Sequence, residues 1–318
     1  MSDLEAQKRL EIKIERELGP EVNKALADPK VVEIMVNPDG NIWIERSGKI
    51  TTVGKKTPST CESVIRTIAS YVGTTISPEN PILECKLPLD GSRFTGILPP
   101  ITSGPAFTIR KHSVQVFTLK NYVERNIISR KQADRLKRAI SDRKNILVVG
   151  GTGTGKTTFC NAIICEISKI HKNHRIVIIE DTPEIQCKSE NHVKMQTFYK
   201  TSMKDLVKAT LRMRPDRIII GEVRSGEALD LLKSWNTGHP GGIATVHANS
   251  VLAALSRIED LIGEVTERPM QNLIAEAINI IIVIEKSNNS RKITGFSEVK
   301  GYFGGIYQLN NLLRGVRK

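Results

Sequence analysis

Nine residues, GGTGTGKTT from Gly150 to Thr158, have the types and spacing of a phosphate cradle, G-x-x-x-x-G-K-[ST]. Gly150, Gly151, Gly153 and Gly155 let the backbone fold around an anion, with Thr152 and Thr154 between them. N–H groups of the turn and the start of the next helix supply partial positive charge. Lys156 is placed to reach the β- and γ-phosphates, the Thr157 hydroxyl to bind Mg²⁺, and Thr158 to close the first turn. ATP with Mg²⁺ is the cofactor pair this implies. Two later apolar runs end in acids. RIVIIEDTPEI presents Glu180, Asp181 and Glu184, and RIIIGEVR presents Glu222, a candidate for holding Mg²⁺ or orienting the attacking water. A third, IATVH, ends at His247 inside TGHPGGIATVHANS, which also holds His239. A zinc site needs three or four ligands, and no cysteine or third histidine lies nearby in sequence. His247 is therefore read as a contact for the γ-phosphate or the catalytic acids. For His239 a packed, hydrogen-bonded structural role stands beside a functional one.

These residues need strands that end side by side. NILVV precedes the glycine turn and TTFCNAIICEISK follows it with helical spacing; apolar strands and amphipathic helices then alternate to Glu285. A parallel sheet brings its strand C-termini to one crevice, which is where the acids and His247 would meet. The first third of the chain differs. VVEIMVN and NIWIER are strand-like runs joined by a Pro-Asp-Gly turn, STCESVIRTIASYVGTTI is helical, and SRFTGILPPITSGPAFTIRK returns to short strands. The expected organisation is an α+β domain at 1–110, a linker at 111–118, and a mainly parallel α/β domain at 119–318. The segment TLKNYVERNIISRKQADRLKRAISDRK is expected to be helical throughout, and residues 1–19 to form an amphipathic helix.

Composition narrows the class. Of the 318 residues, 39% are apolar and 25% charged, a soluble globular profile, and no apolar run approaches the ~20 residues of a membrane span. The five cysteines (61, 85, 160, 165, 187) include no Cys-x-x-Cys pair, which favours reduced thiols in a cytoplasm. The net charge of +13 is concentrated in two segments: residues 110–144 hold 11 basic against 3 acidic side chains, and residues 286–318 hold 7 against 1. They are read either as solvated faces or as a surface for an anionic partner. Few aromatics are interleaved, so phospholipid is favoured over single-stranded nucleic acid, and direct nucleic-acid binding stays open.

In order, GGTGTGKTT, IEDTPEI, LRMRPDRIIIGEVRSGEALD and TGHPGGIATVHANS, with DGSRFTGILPP and FTIRK before them, resemble the secretion ATPase superfamily of type II and type IV secretion and type IV pili. The pattern is most like the TrbB-type ATPases of conjugal transfer. The resemblance implies a RecA-like P-loop core after a smaller N-terminal domain, hydrolysis of ATP, and a homohexameric ring on the cytoplasmic face of the inner membrane serving a secretion apparatus. It places Glu222 at the Walker B acid, Glu184 as the water-orienting base, and His239 and His247 in the family's His box. Arg93 and Arg110 correspond to N-terminal-domain arginines that reach the phosphates, and Arg212 and Arg214 to arginines near the subunit boundary. The tetracysteine module of many type II and pilus members has no counterpart in this sequence. Pilus and type II motors remain alternatives, as do a RecA-like DNA motor and a small-molecule kinase.

Overall fold

The computed structural model describes every residue except 1–2, 47, 112–116, 199, 288–289 and 314–318. The chain divides into two compact units, Met1–Val114 and Gln115–Lys318. Residues 112–116 of the expected linker, and 314–318 of the second basic segment, lie outside the described residues.

In the first unit, helix α1 (Asp3–Ala27) precedes strands β1 (Val31–Val36), β2 (Asn41–Arg46) and β3 (Lys49–Lys55). Helix α2 (Pro58–Tyr71) then leads to β4 (Ile82–Lys86), β5 (Arg93–Ile97) and β6 (Ala106–Arg110). The amphipathic helix expected over 1–19 runs on to Ala27, with a break at Gly19, whose φ is 73°, and Pro20 restarting it. The sheet order is β3-β2-β1-β6-β5-β4, antiparallel throughout. Ile14, Leu18 and Val22 of α1 and Val64, Ile65 and Ile68 of α2 cluster with Ile34, Ile42, Phe94 and Ile109 of the sheet. Strand β4 escaped the sequence reading because ILECK carries two charges in five residues.

The second unit opens with α3 (Leu119–Glu124), α4 (Arg130–Ser141), β7 (Ile146–Val149), α5 (Lys156–Ile170), β8 (Ile176–Glu180) and β9 (His192–Gln196). It continues through α6 (Met203–Thr210), β10 (Arg217–Ile220), α7 (Glu227–Asn236), β11 (Ile243–Val246), α8 (Val251–Gly263) and α9 (Gln271–Ala277). Strands β12 (Ile280–Ser287), β13 (Ser290–Phe303) and β14 (Ile306–Asn311) complete it. The sheet runs β14-β13-β12-β7-β11-β10-β8-β9. From β9 to β12 every pairing is parallel, and β13 and β14 add an antiparallel hairpin at one edge. This is a RecA-like core. Strands β7, β8, β10 and β11 are buried at every position, as expected where helices cover both faces. Leu147 and Val149 join the core beneath α7, α8 and α9, while Ile146 and Val148 join that beneath α3, α4 and α5.

Two differences from the sequence reading have local causes. The helix expected from Thr118 to Lys144 is two helices, because Thr118 and Ser129 each form a capping box, with Asn121 and Gln132 respectively. Asn126, with φ of 56°, sits in the break. The hairpin β13–β14 stands where the sequence read as a basic surface segment; its charged residues, Arg291, Lys292, Glu298 and Lys300, all lie on β13, between β12 and β14, and the edge strand β14 carries none.

Buried Asn145 joins three strands. Its Oδ1 accepts from the N–H groups of Gly241 (2.7 Å) and Gly242 (3.0 Å), just before β11, and its Nδ2 donates to the Ala277 carbonyl (2.7 Å), just before β12. Asn145→Ala strands all three groups in the interior, and urea unfolding of the variant is expected to show a loss of about 3 kcal/mol. An unchanged midpoint would contradict this role.

Candidate functional site at the strand tips

The glycine turn links the end of β7 to α5, as the motif requires. Gly153 (φ 70°) and Gly155 (φ 95°) take left-handed conformations open to glycine, and a Cβ on Gly150 would lie 2.4 Å from the Ile284 carbonyl oxygen. Thr154 Oγ1 donates to the Gly151 carbonyl (2.9 Å) and ties the loop across itself. Lys156 is only 8% exposed. Its amine donates to the carbonyls of Gly150 (2.9 Å) and Gly151 (3.1 Å) and lies 3.2 Å from both ring nitrogens of His247. Thr157 and Thr158, half-buried, stand in the first turn of α5, and Thr152 is exposed at the loop's crest.

His247 leaves the end of β11 and meets Glu222, which leaves β10: Nε2 to Oε1 is 2.8 Å. Burial, and then the neighbouring Lys156 cation, pull the imidazole pKa below its ordinary value, with Glu222 opposing and Arg224 reinforcing the shift. The neutral ring donates from Nε2 to Glu222, leaving Nδ1 as the nitrogen able to accept from Lys156. Glu222 Oε2 accepts from Arg224 (2.8 Å), whose other terminal nitrogen lies 3.2 Å from Asp181 Oδ2. Lys156, His247, Glu222, Arg224 and Asp181 therefore form one continuous polar chain across the tips of four strands.

Glu180 behaves differently from the expectation that all these acids face the phosphates. It is 3% exposed, and its Oε1 accepts from the N–H groups of Glu184 and Ile185, both at 2.8 Å. Burial raises its pKa against the pull of those bonds. Glu180 is thus a strut that folds the loop 181–185 back over β8. Gly221 stands beside it, where a Cβ would come 3.0 Å from the Glu180 side chain. Glu184 is half-buried, its N–H on Glu180 and its carbonyl accepting from Asn161 of α5 (3.4 Å), so its backbone is anchored to the helix that begins at Lys156.

His239 is not part of this cluster. It precedes β11 while His247 follows it, so about 13 Å of strand separates their backbones. Its Nδ1 lies 3.1 Å from the Pro215 carbonyl oxygen, the packed arrangement considered for it above. Arg212 and Arg214 (φ 53°) precede β10 at that same far edge, both exposed. In the first unit, Arg93 of β5 and Arg110 of β6 are direct cross-strand partners.

Two residues the sequence reading passed over belong to the site. Arg224 was legible only as the second residue after Glu222. Arg291 arrives on the unforeseen hairpin: its Nε donates to the Thr154 carbonyl (3.0 Å), and it packs against Gly155. Beside it a small cavity of about 20 Å³ is lined by Phe117, Tyr122, Arg125 and Thr158, with the Arg125 guanidinium 4.3 Å from the Phe117 ring centroid. Among the described residues, no three His, Cys, Asp or Glu side chains are grouped to cage a metal ion alone. No described helix is long and apolar enough to cross a membrane.

A family model described as "Type II/IV secretion system protein" matches residues 17–299. The chain belongs to that family. The conjugal transfer protein TrbB of Rhizobium radiobacter is 46% identical over 309 residues, covering 97% of this chain and 96% of its own. The type IV secretion system protein VirB11 of Bartonella quintana is 30% identical, over 86% of this chain and 89% of its own. Among solved structures, the Legionella pneumophila ATPase DotB aligns with TM-score 0.65 at 18% identity, over 90% of this chain and 80% of its own. The pilus retraction motor PilT, solved with bound ADP, aligns at 0.64 and 20%, over 96% and 83%. These two likenesses show the fold of this type II/IV secretion family member.

The two glutamates should separate stability from chemistry. Glu180→Ala removes the acceptor of two buried N–H groups and is expected to cost roughly 2 kcal/mol in urea unfolding. Glu222→Gln, at a more open position, should stay within about 1 kcal/mol of the wild type. The reverse order would mean their roles have been exchanged.

Proposed function

We propose that this chain hydrolyses ATP at the glycine turn and that the energy powers a type IV secretion or conjugative transfer apparatus. The observation that carries the chemical half is the contact of Lys156 with His247 and of His247 with Glu222, at the mouth of a phosphate-binding turn. The motor half rests on the family and on relatives whose names are those of conjugal transfer and type IV secretion proteins.

The residues suit the nucleotide. Lys156 and the N–H groups from Gly150 to Thr158 hold the β- and γ-phosphates. Mg²⁺ is usually bound by one or two protein oxygens together with substrate phosphates, which the Thr157 hydroxyl and Glu222 can supply. When bound, it would neutralise charge building on the transferred phosphoryl group. Glu184 orients the attacking water and receives its proton, while His247 reads the terminal phosphate and relays its presence to Glu222. The products are ADP and inorganic phosphate.

Arg93 and Arg110 of the first unit are proposed as arginines that bind phosphate. They are direct cross-strand partners on β5 and β6. The active assembly is a homohexameric ring, with Arg212 and Arg214 at the boundary between subunits. The protein works in the cytoplasm, peripheral to the inner membrane, in contact with membrane components of the apparatus. The exposed bases of α4, Arg130, Lys131 and Arg138, face anionic lipid. Of its other two bases, Arg135 donates to the Leu312 carbonyl, and the exposed Lys137 lies 3.8 Å from Glu166.

Lys156→Ala is expected to lower phosphate release from ATP by at least ~100-fold, and Glu222→Gln to leave nucleotide bound but turning over slowly. Both are read in a steady-state phosphate assay beside binding of a fluorescent ATP analogue. Normal turnover in Lys156→Ala would end the proposal, and many-fold stimulation by single-stranded DNA would favour a nucleic-acid motor instead.

Salt should report on the lipid contact. Binding to vesicles containing anionic phospholipid is expected to weaken between about 0.05 and 0.3 M salt and on neutralising Arg130, Lys131 and Arg138 together. Binding unaffected by either change would remove the membrane assignment.

A further inference from the structure

Arg224 lies between two acids that leave different strands, and the chain's proposed chemistry has not used it. One terminal nitrogen donates to Glu222 at 2.8 Å, and the other lies 3.2 Å from Asp181. These acids follow β10 and β8, which pair directly in the sheet. The guanidinium is therefore a planar fork spanning neighbouring strand tips, a geometry a lysine amine cannot reproduce.

Both ends of this fork are anchored. On the near side, the Arg224 N–H donates to Glu227 Oε1 at 2.7 Å, and Glu227 also accepts from the N–H and hydroxyl of Ser225. Burial works to raise the Glu227 carboxyl, but those bonds outweigh it and hold the group below its ordinary pKa, as an ionised anchor at the start of α7. On the far side, Asp181 Oδ1 accepts from the Thr197 hydroxyl at 2.6 Å, and the Asp181 carbonyl accepts from Gln196 Nε2 at 3.1 Å. Thr197 opens a tight turn in which Phe198 and Thr201 exchange backbone hydrogen bonds of 3.3 and 2.8 Å. Phe198 on that turn is 81% exposed.

We propose that Arg224 is a positioning residue: it holds the Glu222 carboxylate on His247 and, through Asp181 and Thr197, joins the phosphate edge to the turn that carries Phe198. The catalytic part rests on the ATP-hydrolysis reading above; the mechanical part does not. Two physical consequences follow. Without the fork, Glu222 is free to leave His247, so turnover suffers more than nucleotide binding, which depends on Lys156 and the glycine turn. The segment ending in Phe198 also loses its tie to β10, since Asp181 is the side chain through which Thr197 reaches Arg224.

The test uses the full-length protein and the variants Arg224→Ala, Arg224→Lys and Asp181→Asn, with thermal melts to confirm folding. In the first arm, amide hydrogen exchange of the segment from His192 to Phe198 is followed without nucleotide. Exchange is expected to accelerate about 2- to 5-fold in Arg224→Ala and in Asp181→Asn, the range open to an ion pair half exposed to water, while β7 and β11 stay protected. In the second arm, Arg224→Ala should lower kcat for ATP about 30-fold or more with KM changed less than about 3-fold, and Arg224→Lys should recover only part of that loss. The double variant Arg224→Ala/Asp181→Asn should exchange no faster in this segment than Arg224→Ala alone, since both changes break one link.

Unchanged exchange at the Phe198 segment overturns the brace, whatever the enzyme does. Full recovery of kcat by lysine shows that charge alone suffices and overturns the fork. If the wild type releases no phosphate from ATP, the hydrolysis reading fails, and the exchange arm still decides whether Arg224 ties the two strand tips together. Should Arg224→Ala fail to fold, Asp181→Asn and Arg224→Lys carry both arms.

Discussion

A lysine amine buried at the mouth of a parallel sheet is the constraint around which this molecule is arranged. Lys156 is removed from water over nine-tenths of its surface, and a cation so placed needs acceptors on every side. Two of them are carbonyls of its own glycine turn, those of Gly150 and Gly151. A third is an imidazole delivered by another strand. That imidazole is kept neutral by burial and by the cation itself, and a neutral ring can donate a hydrogen bond to Glu222 while accepting one from the amine. Each partner thus sets the state of the next, and the order of charges along the chain, cation, neutral ring, anion, cation, anion, is the order that attraction favours.

The parallel core makes this possible by aligning the places where strands end. Strands β7, β11, β10 and β8 are neighbours in the sheet, and the residues just beyond them supply Lys156, His247, Glu222 with Arg224, and Asp181. Far apart in the chain, they become adjacent because each strand stops at the same level. Asn145 aligns the opposite edge of the same sheet, where it ties the starts of β11 and β12 to β7. Residues at that edge, His239, Arg212 and Arg214, are separated from the chemistry by the length of the strands.

Much of this was legible before any fold was known. The glycine turn announced its strand and helix because its spacing has one mechanical use, and the apolar runs ending in Glu180, Glu222 and His247 named the crevice. What sequence could not separate was where each acid points. Glu180 and Asp181 are adjacent in the chain and alike in chemistry, yet successive residues at a strand end point to opposite sides. One therefore became a buried strut and the other a partner of Arg224. The hairpin β13–β14 was missed because β13 mixes lysine, arginine and glycine with its apolar residues and β14 ends in polar amides, so neither gives a clean apolar run, and Arg291 was missed with it.

By itself the sequence determined the local devices: a phosphate-binding turn, helices with their caps, strands apolar enough to be buried on both faces. These depend on neighbours within a few residues, so they can be read in order along the chain. Only the tertiary structure decided which polar groups share a proton or a charge, since Lys156 and His247 are 91 residues apart. Hydrogen bonds act over about 3 Å, and nothing in a linear pattern fixes a distance of that size between strand tips until the sheet has set their order and level.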